Sequence, residues 1–200
     1  MEPQVADAAP VQTKRRSPLI TALLIVLAMI FVFLIALVGM IEMQPDTFRL
    51  ERSRKMAAPP EAVFAQVNDF RNWQAWSPWA KLDPNAKNTY SGAGSGEGAK
   101  FAWDGNDEVG SGQMEIVESK PSELVKLKLE FIKPMANTCD TNFTFKPEDG
   151  GTLMTWSMEG PNSFLGKALH LVIDMDKMVG DQFDEGLTSI QQIVEQKPAQ

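Results

Sequence analysis

The longest pattern in the chain is an apolar run near the N-terminus. Residues 19 to 41 contain no charge, Asn, Gln or Pro, and sixteen of these 23 residues are Leu, Ile, Val or Phe. As a helix the run is about 34 Å long, enough to cross a hydrocarbon core of roughly 30 Å. Lys14-Arg15-Arg16 resembles the basic segment that precedes the apolar core of a signal peptide, but such a core is shorter, about 7 to 15 residues. We therefore predict an uncleaved membrane anchor.

The next pattern is a possible strand, FRLERSRKM, at residues 48 to 56. Its alternation is interrupted because Arg52 and Arg54 fall on the face where apolar residues should continue. The segment that follows predicts a helix, since Pro60 suits a first helical turn and Val63, Phe64 and Val67 recur at helical spacing.

Three tryptophans within seven positions follow this helix. A short second helix over about 70 to 76 places Trp73 and Trp76 on one face, at spacing i and i+3. Pro78 then forces its predecessor into an extended conformation, and we expect it to end the helix. Trp79 lies directly beyond.

From about residue 86 to 160 the period changes to two, which predicts antiparallel strands. The segments are AKFAWDG, GQMEIVES and LVKLKLEFI, followed by strands at 137 to 146 and 152 to 159 with PEDGG as a hairpin turn. The period returns to helical near the end, and a long amphipathic helix is predicted over about 164 to 195. Because this helix must bury its apolar stripe on the sheet, the pattern indicates an α+β domain.

Charge and cysteine content exclude several classes of function. Residues 57 to 197 carry 12 Lys plus Arg against 21 Asp plus Glu, so a basic face for nucleic acid is absent. Cys139 is the only cysteine, which excludes disulfides and cysteine-rich metal sites within one chain. The three bases before the apolar run, against Glu42 and Asp46 after it, favour an N-terminus inside and the domain on the extracytoplasmic side.

Candidate catalytic and metal-binding groups form no specific constellation. His170 is the only histidine and has no visible carboxylate partner, while the strand carboxylates, led by Glu118, mostly face outward. GAGSGEG at 92 to 98 has Glu97 where a dinucleotide fingerprint needs its third glycine, so we interpret it as a flexible loop. The acidic residues from Asp174 to Glu185 spread around a helix and indicate a solvated face. We expect no metal and no cofactor.

Five short motifs in order resemble a known family. They are APPEAVFAQVNDFRNWQAWSPWAKLDP, W-x-G at Trp103 to Gly105, G-x-G-x-M at Gly110 to Met114, T-W-x-M-x-G at Thr155 to Gly160, and F-x-x-G-L at Phe183 to Leu187. Together they resemble the START-like superfamily (SRPBCC), in its polyketide cyclase/dehydrase and lipid transport branch, over about 48 to 195. The resemblance implies a helix-grip fold, in which a curved antiparallel sheet wraps around a long C-terminal helix with a hydrophobic cavity between them.

The pattern and the resemblance together predict a disordered tail (1–17), an anchor (18–41), a linker (42–47), a helix-grip domain (48–195) and a short tail (196–200). Function is predicted to be binding of a lipid-like or other apolar small molecule without turnover; a cyclase or dehydratase, and an interaction module with a filled cavity, are the alternatives. Protein partners are unknown. The residues predicted to line the cavity are Trp76, Trp79, Phe101, Trp103, Met114, Phe131, Met154, Trp156, Met158 and Phe183.

Overall fold

The computed structural model describes residues 17 to 196, which form two units that divide after Met43. Most of the predicted N-terminal tail and the last four residues lie outside the described range. The first unit contains α1 (Pro18–Glu42), whose N-terminus is capped by the Ser17 hydroxyl accepting from the Ile20 N–H at 3.3 Å. Within residues 17–196, α1 is the one helix long and apolar enough to cross a membrane, a property that signal sequences share.

The second unit is a seven-stranded antiparallel sheet with helices on one face. The strands are β1 (Thr47–Met56), β2 (Lys87–Gly92), β3 (Ala99–Asp104), β4 (Ser111–Lys120), β5 (Leu124–Lys133), β6 (Asn137–Glu148) and β7 (Gly151–Pro161), in the spatial order β1-β7-β6-β5-β4-β3-β2. The helices are α2 (Pro60–Asn68), α3 (Trp73–Trp76), α4 (Pro78–Leu82), α5 (Phe164–His170) and α6 (Met175–Glu195), with one 3₁₀ turn at Phe70–Asn72. This is the predicted helix-grip arrangement.

The strand predictions hold closely, and the hairpin at PEDGG has the expected geometry. Asp149 and Gly150 both have positive φ, as a tight two-residue hairpin turn requires. The pattern did not separate β2 as an element of its own. Its side chains are mostly exposed at the sheet edge, so the alternation on which the prediction depends is weak there.

Two helix boundaries differ from the prediction. Pro78 does end α3, but it also begins α4, because its fixed φ and missing N–H suit a first helical turn. The predicted single helix over 164–195 is two helices. The chain leaves α5 at Leu171, and the Asp174 carboxylate caps α6 by accepting from the Lys177 N–H at 2.9 Å.

The arginines that interrupted the β1 pattern do face inward, and α6 accounts for the first of them. Arg52 pairs with Trp156 in the sheet, and its guanidinium donates to the Asp176 carboxylate at 2.9 Å and lies 3.5 Å from Asp184. Gly180 of α6 makes room for it, since a Cβ there would fall 2.0 Å from Arg52 Nη2. The edge strand β1 therefore contacts α6 through ion pairs at a position where the alternation predicts an apolar contact.

Candidate functional site

The strand register places the candidate residues in rows across the inner face of the sheet. Trp103 and Phe131 both pair with Gly112, and Phe101 pairs with Met114 in the next row. Thr141 pairs with Met158, and Phe143 pairs with Trp156. The predicted residues from β3 to β7 therefore do share one face, as their alternation requires.

One half of this face is filled by aromatic rings. The Trp156 ring stacks on Phe183 of α6, with centroids 3.9 Å apart and planes 9° apart, and meets the edges of Trp76 at 5.7 Å and Trp79 at 5.9 Å. Phe143 lies 4.9 Å away on the neighbouring strand. The three longer contacts fall in the range of roughly 4.5–7 Å for favourable offset and edge-to-face aromatic pairs, whereas the Trp156–Phe183 stack is closer than that range.

The filled half changes the picture of the predicted cavity lining. Trp76, Met154, Trp156 and Phe183 are each 2% exposed or less. In this structure they are core side chains between the helices and the sheet, because they pack against one another and are almost fully shielded from solvent. Their contact with a ligand stays a prediction.

The other half of the inner face is more open. Five of the predicted residues are partly exposed there or at its rim: Trp79, Trp103, Met114, Phe131 and Met158. Trp103 is held in place because its indole N–H donates to the Val109 carbonyl at 3.1 Å and its ring stacks 6.1 Å from Phe101. Phe101 itself is 8% exposed. We call the five partly exposed residues, Trp79, Trp103, Met114, Phe131 and Met158, the open half. They form an apolar surface of large side chains.

Four buried side-chain polar atoms have no hydrogen-bond partner within the described residues: Arg54 Nε, Thr141 Oγ1, Trp156 Nε1 and Gln182 Oε1. Thr141 and Trp156 lie on adjacent strands of the inner face, with side chains that are 3% and 2% exposed. The other indoles in the interior are satisfied: Trp73 donates to the Val67 carbonyl at 2.9 Å and Trp76 to the Gln66 carbonyl at 3.0 Å. An unmet buried donor costs about 1–3 kcal/mol, so this pair requires an explanation.

Thr141 was not among the predicted site residues. The signal was present in the sequence, since alternation in β6 places Thr141 on the inward face between Cys139 and Phe143. A buried hydroxyl costs free energy unless it is hydrogen-bonded, so a threonine on a mostly apolar face calls for a partner. The absence of that partner became visible only once the neighbours of Thr141 were known.

Two surface depressions of the domain are lined by no residue of α6. One, of about 110 Å³, is lined mainly by polar side chains on the outer face of β3, β4 and β5, among them Lys100, Gln113 and Glu130. The other, of about 500 Å³ and open to solvent, lies at the ends of β1, β6 and β7 near Thr47 and Pro161. Neither is an enclosed chamber between sheet and helix.

The strand carboxylates lie on the outer face in ion pairs, as expected. Glu118 accepts hydrogen bonds from Lys120 and Lys126, which hold its pKa below the ordinary value, so it is ionised at neutral pH. Glu115 lies 3.1 Å from Lys100, and Glu159 lies 2.9 Å from Arg49. None of these groups faces the rings of the interior.

Other candidate chemical groups are equally dispersed. His170 is exposed at the end of α5. In the region 17–196 no cluster of three or more His, Cys, Asp or Glu side chains is placed to hold a metal ion. Burial, with a smaller effect of Asp140, raises the pKa of the Cys139 thiol to about 11, which keeps it protonated and unreactive.

Solved structures with a similar fold are numerous and distant in sequence. A protein from Chromobacterium violaceum, CV1439, is 18% identical, with a TM-score of 0.54 over 77% of this chain and 100% of its own. The Aha1 dimer from Colwellia psychrerythraea is 12% identical, with a TM-score of 0.53 over 76% of this chain and 99% of its own. The di-domain ARO/CYC StfQ from the steffimycin biosynthetic pathway is 11% identical, with a TM-score of 0.55 over 74% of this chain and 51% of its own.

These likenesses show the fold alone, because identities this low do not carry activity. Among curated protein sequences, no match to this chain is found. A family model does match, over residues 47–195. The chain therefore belongs to the polyketide cyclase/dehydrase and lipid transport family.

Proposed function

We propose that the protein is a membrane-anchored binding domain that holds one amphipathic, lipid-like molecule on the inner face of its sheet without turning it over. The observation that carries the proposal is the unpartnered pair, Thr141 Oγ1 and Trp156 Nε1, buried within an apolar face. Buried polar groups are almost always hydrogen-bonded, so an unpartnered pair on one face points to a polar group supplied from outside the chain.

The two positions are close enough to act together. Thr141 lies directly opposite Met158 in the sheet, so Trp156 is its diagonal neighbour, at a typical Cα separation of roughly 7–8 Å. An indole N–H only donates, whereas a hydroxyl both donates and accepts. A carboxyl or hydroxyl group at the end of a ligand matches both, and the apolar remainder of that ligand then lies along the open half.

Access of a ligand to Thr141 Oγ1 and Trp156 Nε1 depends on Trp79, at the edge of the aromatic cluster. The Trp79 ring is partly exposed and contacts both Trp156 and Phe183, with centroids 5.9 and 6.4 Å apart. We expect Trp79 to move when the ligand enters, since it covers the Trp156 ring. The aromatic cluster then provides the deep end of the site, and the open half binds the tail.

Binding without turnover accords with the placement of the acids and bases. Ring closure or dehydration requires a general acid or base within hydrogen-bond reach of the reacting atoms. The outer-face carboxylates and the exposed His170 are not in reach of the inner face. The cyclases named in the family description, and the ARO/CYC protein among the fold relatives, keep the enzyme as the alternative class.

The anchor is part of the same proposal. We infer that α1 stays in the mature protein and spans a membrane with its N-terminus inside, on the strength of its length and the three preceding bases. A reporter active only outside the cytoplasm, fused after Gln200, should give signal. A mature chain that starts near residue 40 would overturn the anchor, and a silent reporter would overturn the orientation.

The test of binding uses a matched pair of threonines on one strand. A brominated fatty acid titrated into the purified protein should quench tryptophan fluorescence, and Thr141→Val should weaken its binding at least tenfold while leaving stability unchanged or higher. Thr144→Val, on the outer face of β6, is the control and should leave binding unchanged. Equal affinity in both variants would show that Thr141 is not a ligand contact.

The filled aromatic half also favours a second candidate, an interaction module that binds no small molecule. Its support is the direct packing of Trp156 on both Trp76 and Phe183, with all three side chains 2% exposed or less. Mass spectrometry of lipid extracted from the purified protein separates the two. A stoichiometric lipid supports binding, whereas absence of lipid together with absence of quenching supports the module.

A further inference from the structure

The segment from α5 to the start of α6 exposes an unusual amount of apolar surface. Six side chains within fifteen residues are between 39% and 79% exposed: Phe164, Leu165, Leu171, Val172, Ile173 and Met178. We call these six the α5 patch. Exposed apolar residues scattered singly are ordinary on a protein surface, but a contiguous group marks a surface that contacts a partner or a membrane.

The segment that carries the α5 patch is hydrogen-bonded to Pro45 and Asp46, which follow the predicted anchor. The Asn162 N–H donates to the Asp46 carbonyl at 2.7 Å, and the Asn162 side chain donates to the Pro45 carbonyl at 3.2 Å. Lys167 of α5 is 6% exposed, and its ammonium donates to the Asp46 carboxylate at 2.6 Å. Three hydrogen bonds therefore fix the start of the α5 patch to residues 45 and 46.

Chain connectivity alone then limits the distance of the patch from a bilayer. Asp46 follows Glu42, the last residue of α1, by four residues, which span at most about 14 Å. A helix of 25 residues is about 37 Å long, so one that crosses a hydrocarbon core of roughly 30 Å has its ends in the headgroup layer. For an α1 that spans a membrane, chain reach therefore keeps the attachment point of the α5 patch within about 14 Å of the end of the anchor.

We propose that the α5 patch docks onto the bilayer that α1 crosses, with Val172 and its apolar neighbours inserted among the lipid chains. This inference rests on the proposed membrane anchor. Charge on the segment does not supply the attraction to the bilayer. Lys167 is neutralised by Asp46. Asp174 caps α6, and Asp176 pairs with Arg52. The contact is apolar, so it does not require anionic lipid.

The experiment compares two exposed valines in the full chain, reconstituted into vesicles of zwitterionic phosphatidylcholine. Val172→Cys and Val117→Cys are labelled with bimane; Val172 is 79% exposed in the patch, whereas Val117 is 46% exposed on the sheet. Native Cys139 is buried with its pKa raised to about 11, so it stays unlabelled. Lipids brominated on the acyl chains should quench bimane at position 172 at least threefold more than at position 117.

The outcomes separate this inference from the anchor on which it rests. If the protein stays with the vesicles in alkaline carbonate but positions 172 and 117 are quenched equally, the docking is overturned and the anchor stands. If the protein is extracted by carbonate, the anchor is overturned and the docking with it. Strong quenching at 172 that appears only with anionic lipid overturns the apolar contact proposed here.

Discussion

Replacement of Trp156 by Phe tests whether its buried indole N–H lacks a partner, and Trp76→Phe is the matched control. Both tryptophans are 2% exposed or less, and their rings contact each other at 5.7 Å. The two variants remove the same atoms from the same cluster. Their indole N–H groups differ, since Trp76 Nε1 donates to the Gln66 carbonyl and Trp156 Nε1 has no partner within the described residues.

The expected difference in the free energy of unfolding follows from the hydrogen bonding of the two indole N–H groups. Trp76→Phe loses a hydrogen bond with a net contribution of about 0.5–1.5 kcal/mol, whereas Trp156→Phe removes an unmet buried donor that costs about 1–3 kcal/mol. Both variants also lose ring contacts within one almost fully buried cluster, and these losses largely offset each other in the comparison. Trp156→Phe should therefore be more stable than Trp76→Phe by roughly 2–4 kcal/mol.

The assay is urea unfolding of residues 44 to 200, a compact unit with its own core, followed by circular dichroism. With a slope of about 1–3 kcal/mol/M, the two midpoints should differ by roughly 1 M or more. Ligand affinity should follow the opposite order, because only Trp156→Phe removes a proposed contact. If Trp156→Phe is destabilised as much as Trp76→Phe, the indole N–H is satisfied in solution and the reasoning is refuted.

Three further predictions concern other parts of the domain. Gly186→Ala should destabilise the domain by about 1–2 kcal/mol in thermal or urea unfolding, because a Cβ there lies 2.9 Å from the Trp156 ring, which its neighbours hold in place. Gly180→Ala should be close to neutral, since the end of the Arg52 side chain can move aside. Cys139 should not react with a thiol reagent at pH 8 until the protein is unfolded, and reaction of the folded protein would contradict its burial and raised pKa. His170→Ala and Glu118→Gln should leave ligand affinity within a few-fold in the quenching titration, and a large loss in either variant would favour the enzyme alternative.

Much of the fold was predictable because local periodicity follows from backbone geometry. Side chains alternate between the two faces of a strand, so the apolar residues of LVKLKLEFI revealed their own inward face without knowledge of any neighbour. The same reasoning identified α1, since its length and composition are properties of a continuous segment. The five motifs from Ala58 to Leu187 indicated the family, and the match of the family model to residues 47–195 confirms it.

The site was predictable only in part, because burial on a shared face does not say what a side chain contacts. Ten residues were predicted to line a cavity; Trp156 stacks on Phe183 in one half and the other half is partly exposed, while contact of the ten with a ligand stays a prediction. That division depends on how α6 lies over β7, a contact between segments far apart in the chain. The missing partner of Thr141 is likewise a property of its surroundings.

The sequence by itself determined most of the elements, their faces and the family, since each of these depends on short segments of the chain. The tertiary structure decided how Arg52, on the inward face of an edge strand, is accommodated: Asp176, 124 residues away, accepts its hydrogen bond. It also broke the last helix at residues 171–174 and tied α5 to Asp46 through Lys167. Such pairings depend on which distant segments the folded chain brings within about 3 Å, and no local period records that distance.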